Sequence, residues 1–321
     1  MTEKIPTVLV TAIGSFSSSA VIPNLLKAGY RVVGCDIYPR EWVVAGAEVD
    51  KFYQIPPASE CESYVKSVSK IVADEHADYI IPLTDFEVDV LSPVRESLGA
   101  HLLVSPKDAV VKCRDKIKAE AVIHSFLPEL SIPTFTASEF LENEALCEGQ
   151  WVCKPLDGRS SLGLYRAKSR LDALDHIKTH DLTKMIVQPQ IDGRVVTVDV
   201  VREPLSGDVV SLPREELLRT ANGAGTSVFV YRDSCLEQLC EAMACSLGVV
   251  GCVNFEFIKD AGGKYHFLEC NPRFAGGVSF SCKYGYDFVI NHMRCYMGEK
   301  IDRIEREDGQ FIARRYVDYA I

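Results

Sequence analysis

Apolar residues come in short runs along the first hundred positions, with amphipathic stretches between them. Thr7–Thr11 is one run, and residues 31–35 form a second that ends at Asp36. Residues 79–82 and 102–104 are two more. Between them, residues 20–28, 60–75 and 88–98 place apolar side chains at helical spacing, the first of these closing at Gly29. Strands alternating with helices at this spacing predict a parallel sheet with crossover helices. Residues 107–126 read as one helix, and Pro128 and Pro133 punctuate its exit. Strand signals then dominate at Trp151–Pro155 and at residues 185–188, 195–201, 253–259 and 264–271, with helices at 171–179 and Ser234–Leu247. Asp192-Gly193 and Asp260-Ala261-Gly262-Gly263 mark turns,. Residues 213–225 read as a mobile loop.

The turn after the first strand, Gly14-Ser15-Phe16-Ser17-Ser18-Ser19, lacks the G-x-G-x-x-G spacing. Without those glycines the backbone does not come close to a pyrophosphate. Asp36 stands where a dinucleotide fold places a ribose-binding carboxylate, but it stands alone. The expectation is a Rossmann-like unit without nicotinamide.

Charge narrows the partners. Lys and Arg number 35 against 45 Asp and Glu, a formal net charge of −10. Such a surface repels a phosphate backbone, which argues against nucleic acid as the main partner. ATP stays open, because a few local lysines bind it inside a negative protein. No apolar run is long enough for a membrane span, and the N-terminus has no signal-peptide pattern, so a cytoplasmic protein is expected,. The 12 cysteines are scattered, with no C-x-x-C pair, and read as reduced and mostly buried,. Cys235, Cys240 and Cys245 fall five apart on a helix. Each step turns that helix by about 140°, so the three thiols do not share a face.

Candidate chemistry gathers near the C-terminal hairpin. If residues 260–263 form a four-residue loop, Lys259 pairs with Lys264, Glu256 with Phe267 and Asn254 with Glu269. Side chains alternate along a strand, so Glu256, Glu269 and Asn271 then project from one face. Two carboxylates and an amide oxygen suit Mg²⁺, which keeps several waters and shares phosphate oxygens with a nucleotide. Arg273 follows and is placed to balance charge on a transferring phosphoryl group. The alternative is a solvated hairpin with two ordinary glutamates. The apolar residues around both acids weigh against it, since ionised carboxylates rarely sit there unpartnered. A one-residue slip would put Glu256 on the other face.

Further upstream, Lys154 ends a strand and opens Pro155-Leu156-Asp157-Gly158-Arg159-Ser160-Ser161-Leu162-Gly163. Its glycines, hydroxyls and backbone N–H groups are those that wrap a polyphosphate, although no P-loop pattern is present. Lys116, early in a helix, is a second candidate phosphate contact; alone, each segment reads as an ordinary turn or a solvated helix face.

Taken in order, these segments resemble the ATP-grasp superfamily, most closely the carbamoyl-phosphate-synthase-large-chain-like carboxylate–amine ligases. The resemblance spans nearly the whole chain, and its most specific part is Leu268-Glu269-Cys270-Asn271-Pro272-Arg273-Phe274-Ala275-Gly276-Gly277. It implies α/β and α+β architecture: a Rossmann-like domain at 1–105, one ATP-grasp lobe with the phosphate loop at 106–188, and a second with the metal site at 189–321. It implies that Lys116 and Lys154 contact nucleotide. The loop from Gly158 through Ser160 and Ser161 to Gly163 would close over phosphates. The backbone from Gln188 through Gln190 to Ile191 would read adenine. Glu256, Glu269 and Asn271 would hold Mg²⁺ or Mn²⁺, and Arg273 and Lys154 would act in catalysis. Arg214 and Arg219 fall in a stretch similar to the family's substrate-covering loop. Gln188 stands where glutamate is usual, Val195 where a ribose-binding carboxylate often sits, and Arg159 and Leu162 where smaller residues are common.

The function this implies is an ATP- and Mg²⁺-dependent ligase. It would activate a small carboxylate, an amino acid by the nearest patterns, as an acyl phosphate and join it to an amine. The alternatives are a carbamoyl- or carboxy-phosphate-forming subunit and a nucleotide-binding module without catalysis. A homodimer is the starting expectation from the same resemblance, with no nucleic acid or membrane partner.

Overall fold

The computed structural model describes residues 5–156, 158, 163–221 and 223–321. Its first sheet contains β1 (Thr7–Thr11), β2 (Arg31–Asp36), β3 (Lys51–Gln54), β4 (Tyr79–Ile81) and β5 (His101–Leu102), in the order β3-β2-β1-β4-β5. Every neighbouring pair is parallel. The connections carry α1 (Ser18–Lys27), α2 (Ala45–Glu48), α3 (Cys61–Glu75) and α4 (Asp85–Leu91). All five residues of β1 are buried, as expected where helices cover both faces,. The strand order reverses beside β1, so a crevice opens beyond the carboxyl ends of β1 and β4, where open α/β sheets bind ligands.

Helix α4 starts three residues before the 88 expected from apolar spacing. A capping box accounts for the difference: Thr84 caps the backbone and Glu87 reaches back to the Thr84 N–H,. The single helix expected over 107–126 is two, α5 (Lys107–Arg114) and α6 (Lys116–Phe126). Asp115 between them is extended, and its carboxylate accepts from the Ile117 and Lys118 N–H groups at 3.1 Å each. That cap sets Lys116 at the first position of a helix.

The second sheet has the order β6-β9-β7-β8, from β6 (Phe135–Thr136), β7 (Trp151–Pro155), β8 (Tyr165–Ala167) and β9 (Met185–Pro189), with antiparallel neighbours. Helices α7 (Ala137–Glu142) and α8 (Arg170–Ile177) close its core around Phe140, Trp151 and Val187.

The third sheet is antiparallel throughout and has the order β14-β13-β10-β11-β12-β15. Its strands are β10 (Gly193–Arg202), β11 (Val209–Arg219), β12 (Gly225–Val230), β13 (Gly251–Asp260), β14 (Tyr265–Asn271) and β15 (Gln310–Ala313). Between them run α9 (Ser234–Leu247), α10 (Val278–Tyr284) and α11 (Phe288–Met297). Period-two alternation gives the sheet two unlike faces. Val196, Val198, Val200, Phe255 and Phe257 pack in a core with α6 and α9. Thr197, Asp199, Asn254 and Glu256 point the other way, and on that side Arg214 lies opposite Thr197.

The mobile loop expected at 213–225 is therefore corrected. Residues up to Arg219 belong to β11, and Gly225 opens β12. Register shifts after Glu216 and after Leu218 break the alternation that would have revealed the strand,. The cysteines are free thiols, seven of them buried; on α9, Cys240 is buried while Cys235 and Cys245 are exposed. Among the described residues no helix is long and apolar enough to cross a membrane.

Two buried features here have measurable consequences. Arg214 is 1% exposed and donates to Asp199, itself 0% exposed, while Ser281 Oγ donates to the same carboxylate at 2.6 Å. Asp199→Ala takes one of two carboxylates from a buried guanidinium and is expected to cost about 3 kcal/mol in chemical denaturation, the lower end for a broken buried pair because Glu216 remains,. His292 is buried, accepts from the Cys252 N–H through Nδ1 at 2.8 Å, and burial pushes its pKa down to about 3. The unfolded chain binds that proton first, so stability is complete above about pH 6.5 and falls as pH drops toward 3, by about 1.4 kcal/mol per unit. His292→Gln is expected to flatten this part of the acid-unfolding profile.

Candidate functional site

A cavity of about 610 Å³ lies where the crevice of the first sheet meets the polar face of the third, with the second sheet as its other wall. Ser15, Phe16 and Ser17 after β1, and Thr84, Asp85 and Phe86 at the start of α4, line one side. Lys154 and Gln188 line another, and Glu256, Glu269 and Asn271 the floor.

The floor is built from cross-strand pairs. Glu256 lies opposite Glu269 and Asn254 opposite Asn271. The expected pairing of Glu256 with Phe267 was two positions off, for two separable reasons. The hairpin turn is one residue tighter, with Lys259 opposite Tyr265, and a bulge between Glu256 and Phe257 adds one more shift. Each shift alone would turn Glu269 away; together they restore the face.

Like charges directly opposite on a sheet repel. The Glu256 carboxyl is pushed up to about 7, first by burial and then by Glu269. Asn271 Nδ2 donates to Glu269 Oε1 at 3.2 Å and to Asn254 Oδ1 at 3.4 Å. Two crowded carboxylates beside an amide fit a divalent cation, which would relieve their repulsion. Among the described residues no trio of His, Cys, Asp or Glu forms a closed metal cage. Mg²⁺ does not need one, since it keeps waters and takes phosphate oxygens.

The basic groups stand above this floor. Lys154 is 9% exposed, and burial brings its pKa down to about 8, with Glu269 opposing that shift and Lys116 adding to it. Lys116 Nζ donates to the Gly158 carbonyl at 2.8 Å and lies 3.9 Å from Glu269 Oε2. It thus ties α6 to the segment after β7. Gly163 has a φ of +72° and sits against Pro155. Ser160 and Ser161, with Arg159 and Leu162, fall outside the described residues.

Gln188, Gln190 and Ile191 line the cavity with Val195. The Gln188 amide donates to Thr134 Oγ1 at 2.7 Å. The Gln190 N–H already donates to the Gln150 carbonyl at 2.8 Å, so that group is not the one a nucleobase would meet in this conformation.

Arg273 Nη2 donates to Asp85 Oδ2 at 2.7 Å, joining two segments 188 residues apart across the crevice. Asp85 is held at the N-terminus of α4. Arg219 Nη2 is 3.7 Å from Glu256 Oε2, and its Nε donates to the Gly223 carbonyl at 2.7 Å. Arg214 lines the cavity but is no residue of a covering loop. It is fixed in β11 between Asp199 and Glu216.

Residue patterns alone missed Asp85, Thr197 and Glu216. A signal for Asp85 was present, because Thr84-Asp85-Phe86-Glu87 matches a capping box and marks a helix start. For Glu216 the signal was hidden by the bulge beside it.

Comparison with known proteins bears on the fold. Residues 181–315 match a family described as ATP-grasp in the biosynthetic pathway with Ter operon. A biotin carboxylase from Campylobacter jejuni, solved as a β,γ-ATP complex, superposes with a TM-score of 0.78 at 16% identity, over 93% of this chain and 72% of that one. An N5-carboxyaminoimidazole synthetase from Staphylococcus aureus gives a TM-score of 0.76 at 14% identity, over 95% and 81%. An L-amino acid ligase from Bacillus licheniformis gives 0.67 at 15% identity, over 87% and 70%. The chain therefore has the ATP-grasp fold.

ATP with Mg²⁺ is expected to raise the melting temperature more than ATP with EDTA. A ligand at 100 times its Kd adds about 2.7 kcal/mol. In Glu269→Ala the two curves should coincide in differential scanning fluorimetry; a metal-dependent gain that survives this change would remove Glu269 from the metal site.

Proposed function

We propose that the protein is an ATP- and Mg²⁺-dependent carboxylate–amine ligase that forms a C–N bond through an acyl phosphate. The observation that carries this reading is the convergence of Glu256, Glu269 and Asn271 with Lys154 and Arg273 on one cavity. Mn²⁺ fits the same oxygen donors. The bound cation would draw charge from the β- and γ-phosphate oxygens.

The chain's own groups position and neutralise, which is most of what phosphoryl transfer asks of a protein. Lys154 supplies a positive charge at the end of β7, facing the metal floor. Arg273, oriented by Asp85, presents its guanidinium from the crevice side, where charge grows as a substrate carboxylate oxygen attacks the γ-phosphorus. ADP leaves with the electron pair of the broken P–O bond. A neutral amine then attacks the acyl carbon, phosphate departs with the C–O electron pair, and the nitrogen loses a proton. No enzyme nucleophile is required.

The likeness to L-amino acid ligase favours an amino acid as the activated acid. The likeness to biotin carboxylase favours a second reading, a carboxy-phosphate-forming enzyme that uses bicarbonate. One screen separates them: ADP release with bicarbonate alone against paired amino acids and amines. The ligase reading expects turnover only when acid and amine are both present. Lys154→Ala and Glu269→Ala should each lower the rate by about 10²-fold or more, as loss of a charge-stabilising group does. Turnover with bicarbonate alone would favour the second reading. ATP binding without ADP formation across the panel would leave a nucleotide-binding module.

A further inference from the structure

The cavity has an end that the phosphoryl chemistry leaves unused. Glu216 lies on β11 two residues beyond Arg214, and its side chain is 4% exposed. Its Oε1 accepts from Arg214 Nε at 3.2 Å. Among the described residues its other oxygen, Oε2, is buried with no hydrogen-bond partner. Glu216 nevertheless lines the cavity, beside Gly225 and Gly277. A Cβ on Gly225 would stand 1.9 Å from Oε2, so the glycine keeps room for this carboxylate.

Two guanidiniums, Arg214 and Arg314, stand near the buried carboxylates of Asp199 and Glu216, yet neither gives Oε2 a hydrogen bond. Arg214 is shared between Glu216 and the fully buried Asp199. Arg219 leans toward Glu256 instead. Arg314 lies between the rings of Phe16 and Phe280, at 4.7 and 5.0 Å; its Nη2 donates to the Gly276 carbonyl and Ser279 Oγ, at 2.9 and 3.0 Å, while its Nη1 is buried with no hydrogen-bond partner among the described residues. Arg273 is engaged by Asp85. A buried carboxylate oxygen in a residue of the cavity wall that receives no hydrogen bond is costly to leave unsatisfied, and a bound cation with N–H groups satisfies it.

We infer that Glu216 reads a protonated primary amine on the acid substrate, so that the activated acid is an amino acid recognised by its ammonium group. The inference rests on the ligase reading and adds to it the identity of the group that selects the substrate. It has a chemical consequence. An ammonium held by a carboxylate stays protonated and has no lone pair, so the bound amino acid does not serve as the acceptor amine. The amine that attacks must come from the second substrate, in its neutral form.

Binding tests this without turnover. The protein, loaded with Mg²⁺ and the non-hydrolysable β,γ-imido analogue of ATP, is titrated calorimetrically with L-alanine, L-leucine, L-phenylalanine and L-lysine. The same titration uses propanoate, 4-methylpentanoate, 3-phenylpropanoate and 6-aminohexanoate, which lack the α-amino group. At least one amino acid should bind ten-fold or more tighter than its deamino partner. Glu216→Gln should bring that ratio close to one, and Glu216→Asp, which keeps the charge, should recover part of it. Equal binding of the pairs, a ratio that survives Glu216→Gln, or no binding by any amino acid would overturn the inference. Failure of the wild type to bind the nucleotide analogue would instead overturn the ligase reading beneath it; a nucleotide-loaded protein without amine preference loses only the role of Glu216.

Discussion

The third sheet must keep one face dry and the other charged, and the site depends on that division. On the dry side, Val196, Val198, Val200, Phe255 and Phe257 are fully buried. Each strand that supplies them has to place its alternate residues on the opposite face. There the chain sets Asp199, Arg214, Glu216, Glu256 and Glu269 within a few strands of one another. Such a group is stable only if every charge has an opposite charge, a hydrogen-bond donor or a bound cation. Within the protein, Asp199 and Arg214 answer each other. Glu256 and Glu269 are left facing one another across β13 and β14. On the proposed reading, Mg²⁺ and its nucleotide complete that half of the cluster, and a substrate ammonium completes the half at Glu216.

The first sheet matters because of where its strand order reverses. The crevice beside β1 and β4 delivers Ser15 to Ser17 and Asp85 to the cavity wall. Asp85 then grips Arg273 across the crevice. The arginine therefore arrives oriented, with Asn271 of the cavity floor only two residues away. Arg314 plays a comparable part near the C-terminus, held between Phe16 and Phe280 and bonded to the Gly276 carbonyl.

The sequence was most legible where one signal acted alone. Thr7–Thr11, Trp151–Pro155 and Ser234–Leu247 follow directly from apolar runs or helical spacing, and the structure has them with the same bounds. It was least legible where a side chain overrode the apolar pattern. Asp115 split a helix by capping its second half, and Glu87 drew α4 back by three residues. In the hairpin, a tighter turn and a bulge each moved the register by one. Glu256 and Glu269 were expected on one face and stand there, but for a reason that alternation alone does not contain. In β11 the shifts after Glu216 and Leu218 hid a strand, and with it Glu216 itself. Turns and bulges are set by a few backbone angles, and hydrophobic periodicity carries little information about them.

The most direct test of the account is to locate the cation itself. Crystals of the wild type grown with Mn²⁺ and ADP, measured at the manganese absorption edge, give the metal position from anomalous scattering. The account predicts a peak bounded by the Glu256 and Glu269 carboxylates and the Asn271 amide oxygen, with the ADP phosphates on its open side. A manganese peak elsewhere in the cavity, or ADP bound with those three side chains turned away from it, would contradict the account.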